Sequence, residues 1–490
     1  HKGIAEGSAS MSGSASRRRF GALSLFVGVD AAASFAGLSA SILSAGAAIA
    51  QVGLLPARGA DPALVAEGLF AAADATRLAA VAWFEARGTT DGVPALIRAL
   101  RFNRRGESHT AILAALRRLT GAQEPDWFAW MLWQQAHPEI RPFPGHDRFL
   151  STYFSWIDPD FRIFIREKMR HEIRLEEIVW GGVVKDGVPA LVNPAFIGPE
   201  DGSYIRPDDL VFGVEVNGDA RAYPLRILDW HEMFNDVVGG VPLALAYCTL
   251  CGSGILFETQ VAGRQAPLEF GSSGFLYRSN KLMYDQATHS LWNQFTGRPV
   301  AGPLTGSGIE LKVRPVAIAS WREWRAAHPA TRLLSIETGH LRNYAPGAAY
   351  GAYFASSALM FPALTQDRRL EPKEYVFALR GSGVERAWPL DLFSGGRVIN
   401  DAAGFVNIVL VGDASTRTVR AYRRDALDFS VGRDAQHLRA RGQDWRITEA
   451  ALVAADGRQL DRLPGHIAYW FAWSGYLGER GELGGAQGRR

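Results

Sequence analysis

The chain is 490 residues long, 47% hydrophobic and 21% charged, with a formal charge of +3 at pH 7. That length exceeds one ordinary domain and points to roughly two to four, while 14 Trp and 26 Phe supply enough large apolar surface to exclude a disordered chain. The small net charge, with no basic run interleaved with exposed aromatics, excludes nucleic acid as a partner, and a cysteine count of 2 excludes a disulfide framework.

At the N-terminus Ser16-Arg17-Arg18-Arg19-Phe20 fits the twin-arginine export pattern, with Met11 as the expected start and a weakly apolar segment running to Ala50. Asp30 and the many small residues make that segment a poor spanning helix. Residues 1–50 are therefore expected to be a cleaved signal, leaving no stable membrane span and placing the protein in the periplasm or outside the cell. Residues 51–178 read as a helical region. Apolar residues recur at three-and-four spacing in PALVAEGLFAAADATRLAAVAWF, VPALIRALRF and AILAALRRLTG, with Gly88, Gly106 and Gly121 where helices should stop. These short paired helices resemble a HEAT-type solenoid; the alternative is a small bundle capping the main domain. The aromatic-dense stretch over residues 127–169 is expected to be interdomain packing.

Past Val179 the pattern changes to short alternating runs separated by turns, the mark of antiparallel β structure. In VFGVEVNGDARAYPL two such runs flank Asn217-Gly218, which predicts a hairpin. Laying residue 212 over residue 377 without gaps reveals a repeat at a constant offset of 165. Phe212 meets Phe377, Gly218 meets Gly383, Arg221-Ala222 meets Arg386-Ala387, Pro224-Leu225 meets Pro389-Leu390, and Asn235-Asp236 meets Asn400-Asp401. The expected fold is α+β, mainly antiparallel β. It has a first β half over residues 179–345, a second, related half over 346–490, and a small α-helical region ahead of both.

The repeat also separates what the scaffold needs from what one half keeps for itself. His231 meets Gly396, Glu232 meets Arg397, Cys248 meets Asp413 and Cys251 meets Thr416, so the candidates for chemistry belong to the first half. Cys248-Thr249-Leu250-Cys251-Gly252 follows a β-like run, and the glycine lets backbone N–H groups turn toward the sulfurs, presenting both to one ion. A redox pair of the thioredoxin kind needs the motif at a helix N-terminus, where the dipole lowers the first thiol's pKa. Gly252-Ser253-Gly254-Ile255-Leu256-Phe257 reads instead as a hairpin, though a disulfide at the turn stays open.

Zinc sites take four ligands and copper–thiolate sites three or four, so His231 is the expected third, with Asp229 or Glu232 orienting its ring. The plainer alternative is a satisfied core histidine. Met283 is a further soft donor or core filler, and His289 either joins the site or caps a turn. Arg221 and Arg278 are candidates for holding an anionic substrate, although the counterpart of Arg221 in the second half favours a structural ion pair. Tyr247 and Tyr284 either neighbour the metal or pack.

The segments NPAF, GVEVNGDARAYPLRILDWHEMFNDVVGGVPLALAYCTLCGSGILF, FGSSGFLYRSNKLMYDQATHSLWNQFTGRPVAGPL and SWREWRAAHP resemble the bacterial and archaeal family called domain of unknown function 3179. The likeness covers roughly residues 188–339. Its marks stand here as His231-Glu232 ahead of Asn235-Asp236, as residues 247–252, and as Met283-Tyr284-Asp285 leading to Ser290-Leu291-Trp292. The resemblance implies the domain and no particular activity.

Two thiolates, an imidazole and a thioether favour copper, with zinc the alternative. The expected function is that of an exported copper-binding protein in redox chemistry, electron transfer or copper handling, serving a small molecule or a redox protein partner. A zinc-dependent enzyme with Glu232 as a base, a CxxC disulfide redox protein and a metal-free binding module are the alternatives. The chain has no nucleophile elbow, phosphate loop or HExxH motif.

Overall fold

The computed structural model describes residues 56–381, 384–477 and 482–484; the export pattern at residues 16–20 lies outside them. Six α-helices open the described chain: α1 (Pro62–Gly68), α2 (Asp74–Arg87), α3 (Val93–Leu100), α4 (Gly106–Thr120), α5 (Trp127–Ala136) and α6 (His146–Ile157). Asp61 caps α1 by accepting from the Ala63 N–H. Gly88 and Gly121 end α2 and α4 in the left-handed conformation, as glycine at a helix C-terminus does. Gly106 departs from the expectation. The preceding helix already stops at Leu100, and Gly106, with φ of 87°, is where the chain turns into α4.

The aromatic bridge packs these helices onto the β part. Phe154, Phe161 and Phe164 bring their rings to 4.6, 4.5 and 5.9 Å from Phe275. Arg98 is buried in the same seam and donates to the carbonyls of Glu176 and Ile178, so its charge is spread over two backbone acceptors.

The remaining described chain forms five sheets, mostly antiparallel. Within them one unit occurs twice. The first copy is β1 (Leu210–Val216), β2 (Asp219–Pro224), helix α7 (Leu225–His231), β3 (Met233–Val238), β4 (Val241–Cys248) and β5 (Ser253–Glu258). A hairpin of β6 (Phe270–Tyr277) and β7 (Asn280–Asp285) follows, then α8 (Trp321–Ala327) and the short α9 (Gly351–Ala355) in the segment joining the halves. The second copy is β8 (Tyr375–Gly381), β9 (Val384–Pro389), β10 (Arg397–Ala403), β11 (Val406–Asp413) and β12 (Thr418–Arg423). At the offset of 165 the ends of β1, β2, β4 and β5 coincide with those of β8, β9, β11 and β12. In each copy the first two strands join one sheet and the last three another.

Side-chain bonding repeats along with the strands. Asn235 clamps both backbone groups of Phe270, at 2.9 and 2.8 Å, and Asn400 clamps Phe429 in the same way, at 2.8 Å each. An amide side chain carries both the donor and the acceptor that one extended residue needs, which is why Asn stands at both positions. Asp236 accepts from Arg221 at 2.6 Å and Tyr223 at 2.7 Å, while its counterpart Asp401 accepts from the Trp388 indole at 2.7 Å, with Arg386 at 3.4 Å. The predicted hairpin is present: Asn217 and Gly218 join β1 to β2 with φ of 51° and 81°, the signs a type I′ turn demands.

Candidate functional site

Strand β4 ends on Cys248, residues Thr249–Cys251 make one 3₁₀ turn, and β5 leaves with Ser253 paired back to Cys248. The motif therefore joins two antiparallel strands, as the glycine-rich sequence after it predicts, and does not open an α-helix. Gly252 closes the turn at φ of 59°, and a Cβ there would stand 2.8 Å from Tyr375 and 3.2 Å from Tyr469, so no side chain fits. Its counterpart Arg417 has φ of 53° and lays its guanidinium 4.7 Å over the same Tyr375 ring. The CxxC turn is thus closed over by the second half.

Both thiols are buried, with 2% of Cys248 and none of Cys251 exposed. Their sulfurs lie 2.6 Å apart, and the Cys251 thiol also reaches the Ser279 carbonyl at 3.4 Å and Asn280 Oδ1 at 3.2 Å. Burial pushes the Cys251 pKa well above its ordinary value, the neighbouring Cys248 and the Glu232 charge push it the same way, and the Lys281 N–H opposes them. Ser279 and the residue before it, Arg278, hold φ of 61° and 50° at the turn between β6 and β7, the left-handed conformation at two successive non-glycine residues.

Glu232 follows α7 at φ of 52°. Its Oε1 accepts from Thr249 Oγ1 and from the Tyr350 hydroxyl, each at 2.9 Å, and its Oε2 from Lys281 Nζ at 3.1 Å. Thr249 lies between the two cysteines, so this carboxylate is tied directly to the turn. Tyr353 of α9 donates to the Leu250 carbonyl at 2.7 Å, fastening the segment between the halves onto the same motif. Tyr247 donates to Asp229 Oδ1 at 3.1 Å, and burial raises that carboxyl to about 7.

The other candidates have different surroundings. His231 is fully buried, but Nδ1 bonds the Pro189 carbonyl at 2.8 Å and Nε2 the Tyr344 hydroxyl at 2.6 Å. Met283 is buried in β7 opposite Ser272 and Trp292. Among the described residues no group of three or more His, Cys, Asp and Glu side chains is placed to hold a metal ion. His289, at φ of 58°, bonds back to the Asp285 carbonyl and caps a turn. Arg221 pairs with Asp219 and Asp236, Arg278 with Glu177, and Tyr284 with Asp186.

The residues brought together around the sulfurs are Glu232, Thr249, Asn280, Lys281, Tyr350 and Tyr353. Sequence reasoning singled out only the first of these. Lys281 carried a usable signal, as the one cation in NKLMYD, a strand buried at every position.

No curated protein and no solved structure matches the chain. A family model described as protein of unknown function (DUF3179) matches residues 185–480. That span takes in both copies of the repeated unit and more than half of the sequence, so the chain belongs to the DUF3179 family.

Proposed function

We propose that Cys248 and Cys251 form a dithiol–disulfide redox centre enclosed between two sister β halves. The observation that carries this reading is the 2.6 Å contact between sulfurs on a single turn, which a disulfide of about 2.05 Å would close with little movement. A thiol held protonated is a poor nucleophile, which leaves the first attack to Cys248. Its thiolate attacks an external disulfide, whose far sulfur departs as a thiolate. Cys251, giving up its proton, then attacks Cys248 Sγ and the partner's remaining sulfur leaves as a thiolate, so the two cysteine protons are released and two electrons pass to the partner. Export through the twin-arginine pattern at residues 16–20, a route for folded proteins, supports placing this exchange in an oxidising compartment with a redox protein as partner. Among the described residues no helix is long and apolar enough to cross a membrane.

The test is to equilibrate the chain with oxidised and reduced glutathione, alkylate it and weigh it. The expected product has lost two hydrogens and resists alkylation at both cysteines, with Cys248→Ser abolishing the change. Two thiols that stay alkylable across the whole redox range refute the reading.

Copper(I) held by the two sulfurs alone is the second reading. The Lys281 N–H directed at Cys251 favours it, since that donor compensates negative charge on a thiolate, and soft thiolates select this ion. Zinc, which takes four ligands, is less well served, and the Glu232 oxygens already accept three bonds. Anaerobic titration of the reduced chain against a copper(I) chelator separates the readings: one ion per chain, lost in Cys251→Ser, is the outcome expected of copper binding.

A further inference from the structure

We infer that the cleft under the loop of residues 336–345 binds a small hydroxylated organic anion, with His231 setting the hydrogen-bond polarity of its floor. This site is separate from the thiols and does not depend on their chemistry.

Hydrogen-bond partners around His231 fix where the protons are. The Pro189 carbonyl can only accept, so Nδ1 of His231, 2.8 Å away, carries the ring proton. Nε2 is then an acceptor, and it takes the hydroxyl hydrogen of Tyr344 at 2.6 Å. Tyr344 has no second hydrogen to give, so in its 2.6 Å contact with Thr338 the threonine donates. The protons run one way, from Thr338 through Tyr344 to His231. Burial keeps the imidazole neutral, its pKa lowered to about 4, which maintains this direction at neutral pH.

The consequence lies in the cleft, of about 990 Å³, which Thr338 and Tyr344 both line. Both hydroxyl hydrogens are spent within the chain, the Tyr344 oxygen accepts from Thr338 and Thr338 Oγ1 accepts from the His340 backbone N–H at 3.3 Å, so each oxygen has one lone pair left for a ligand and the matching group is a donor such as a hydroxyl. The walls ask for the opposite charge. Arg226 and Arg342 line the cleft with one carboxylate, Glu337, while burial and the Arg342 charge lower the His340 pKa and keep that ring neutral. Arg226 spends Nη1 on Asp209 and Nη2 on the Tyr204 carbonyl, while its buried Nε has no partner among the described residues. The loop is held in place from below, because Trp230 Nε1 donates to the Asn343 carbonyl at 2.7 Å. In the second half Gly396 replaces His231, so this polarity belongs to the first half alone.

Malate and succinate make a discriminating pair of probes, since they share two carboxylates and differ by one hydroxyl. Calorimetry on the full chain should show malate binding about tenfold more tightly, the effect of one satisfied hydrogen bond. Tyr344→Phe should abolish that preference while succinate still binds, and Arg342→Ala, at an exposed position, should weaken both, with melting curves confirming that each variant folds. The inference is overturned if malate fails to bind at millimolar concentration. Equal affinity for the two acids in the unaltered chain overturns it as well, as does a preference that survives in Tyr344→Phe.

Discussion

Thr249, enclosed by the two cysteines, donates its hydroxyl to Glu232 Oε1 at 2.9 Å, and the other oxygen of that carboxylate receives Lys281 Nζ at 3.1 Å. With 12% and 4% of their side chains exposed, the two charges have given up most of their water and depend on each other. Glu232→Gln leaves the ammonium buried and unpaired. It should cost about 3 kcal/mol, read as a fall in the urea midpoint. The same change removes a negative charge that holds Cys251 protonated, so iodoacetamide should label Cys251 faster at fixed pH; slower labelling would contradict the assigned electrostatics.

The closed space beside Gly252 makes a second prediction. Gly252→Ala combines left-handed backbone with a Cβ 2.8 Å from Tyr375, whereas Gly263→Ala has φ of 80° and nothing within 4 Å. The second change should cost about 1 kcal/mol from conformation alone. The first should cost about 2 kcal/mol more, because Tyr375 must shift. Equal losses in the two variants would mean that the second half does not close on the turn.

Repetition of the unit permits a matched comparison. Asp236, 5% exposed, holds Arg221 and Tyr223, while Asp401, 22% exposed, holds Trp388 closely and Arg386 only at 3.4 Å. Asp236→Ala takes from the buried Arg221 guanidinium one of its two carboxylates and from Tyr223 its acceptor, and should cost about 2 kcal/mol, against about 1 kcal/mol for Asp401→Ala. Thermal melts of the two variants measure the difference, and a larger loss at Asp401 would be the contrary result.

Acid stability should respond to Asp229. Burial raises its carboxyl from 3.8 to about 7, so the folded chain keeps a proton that the unfolded chain gives up. Its contribution is complete below pH 3.8 and is lost as the pH rises through about 7. His231 has the opposite sign: burial lowers it from 6.5 to about 4, so its contribution is present above 6.5 and is lost as the pH falls through about 4. In Asp229→Asn, the fall in urea midpoint between about pH 4 and 7 should flatten. An unchanged profile would place the Asp229 titration elsewhere.

How much of this was legible in the sequence depended on distance along the chain. The two halves could be read because their correspondence contains no insertion, so Asn235-Asp236 and Asn400-Asp401 align by simple counting. The turn at Cys248 could be read because its cause, Gly252, is its neighbour. The surroundings of the sulfurs could not, since Lys281 and Tyr350 reach Glu232 from 49 and 118 positions away and Tyr353 reaches Leu250 from 103. His231 stands ahead of the CxxC strand and is replaced by Gly396 in the second copy, which is what groups it with the thiols in the sequence, whereas its Nε2 partner, Tyr344, lies 113 positions on. Gly106 misled for a related reason: left-handed glycine marks the entry to a helix as well as its exit.

Tyr375 closes the space beside Gly252 and also carries the guanidinium of Arg417 over its ring, although those two positions are equivalents in the repeat. A unit that meets its own copy through matching bends is built like a twofold dimer of identical chains. Two separate chains would have to hold the same residue at both bends. Fusion into one polypeptide lifts that constraint, so one partner can keep glycine and sulfur while the other trades them for a cation that braces the shared tyrosine.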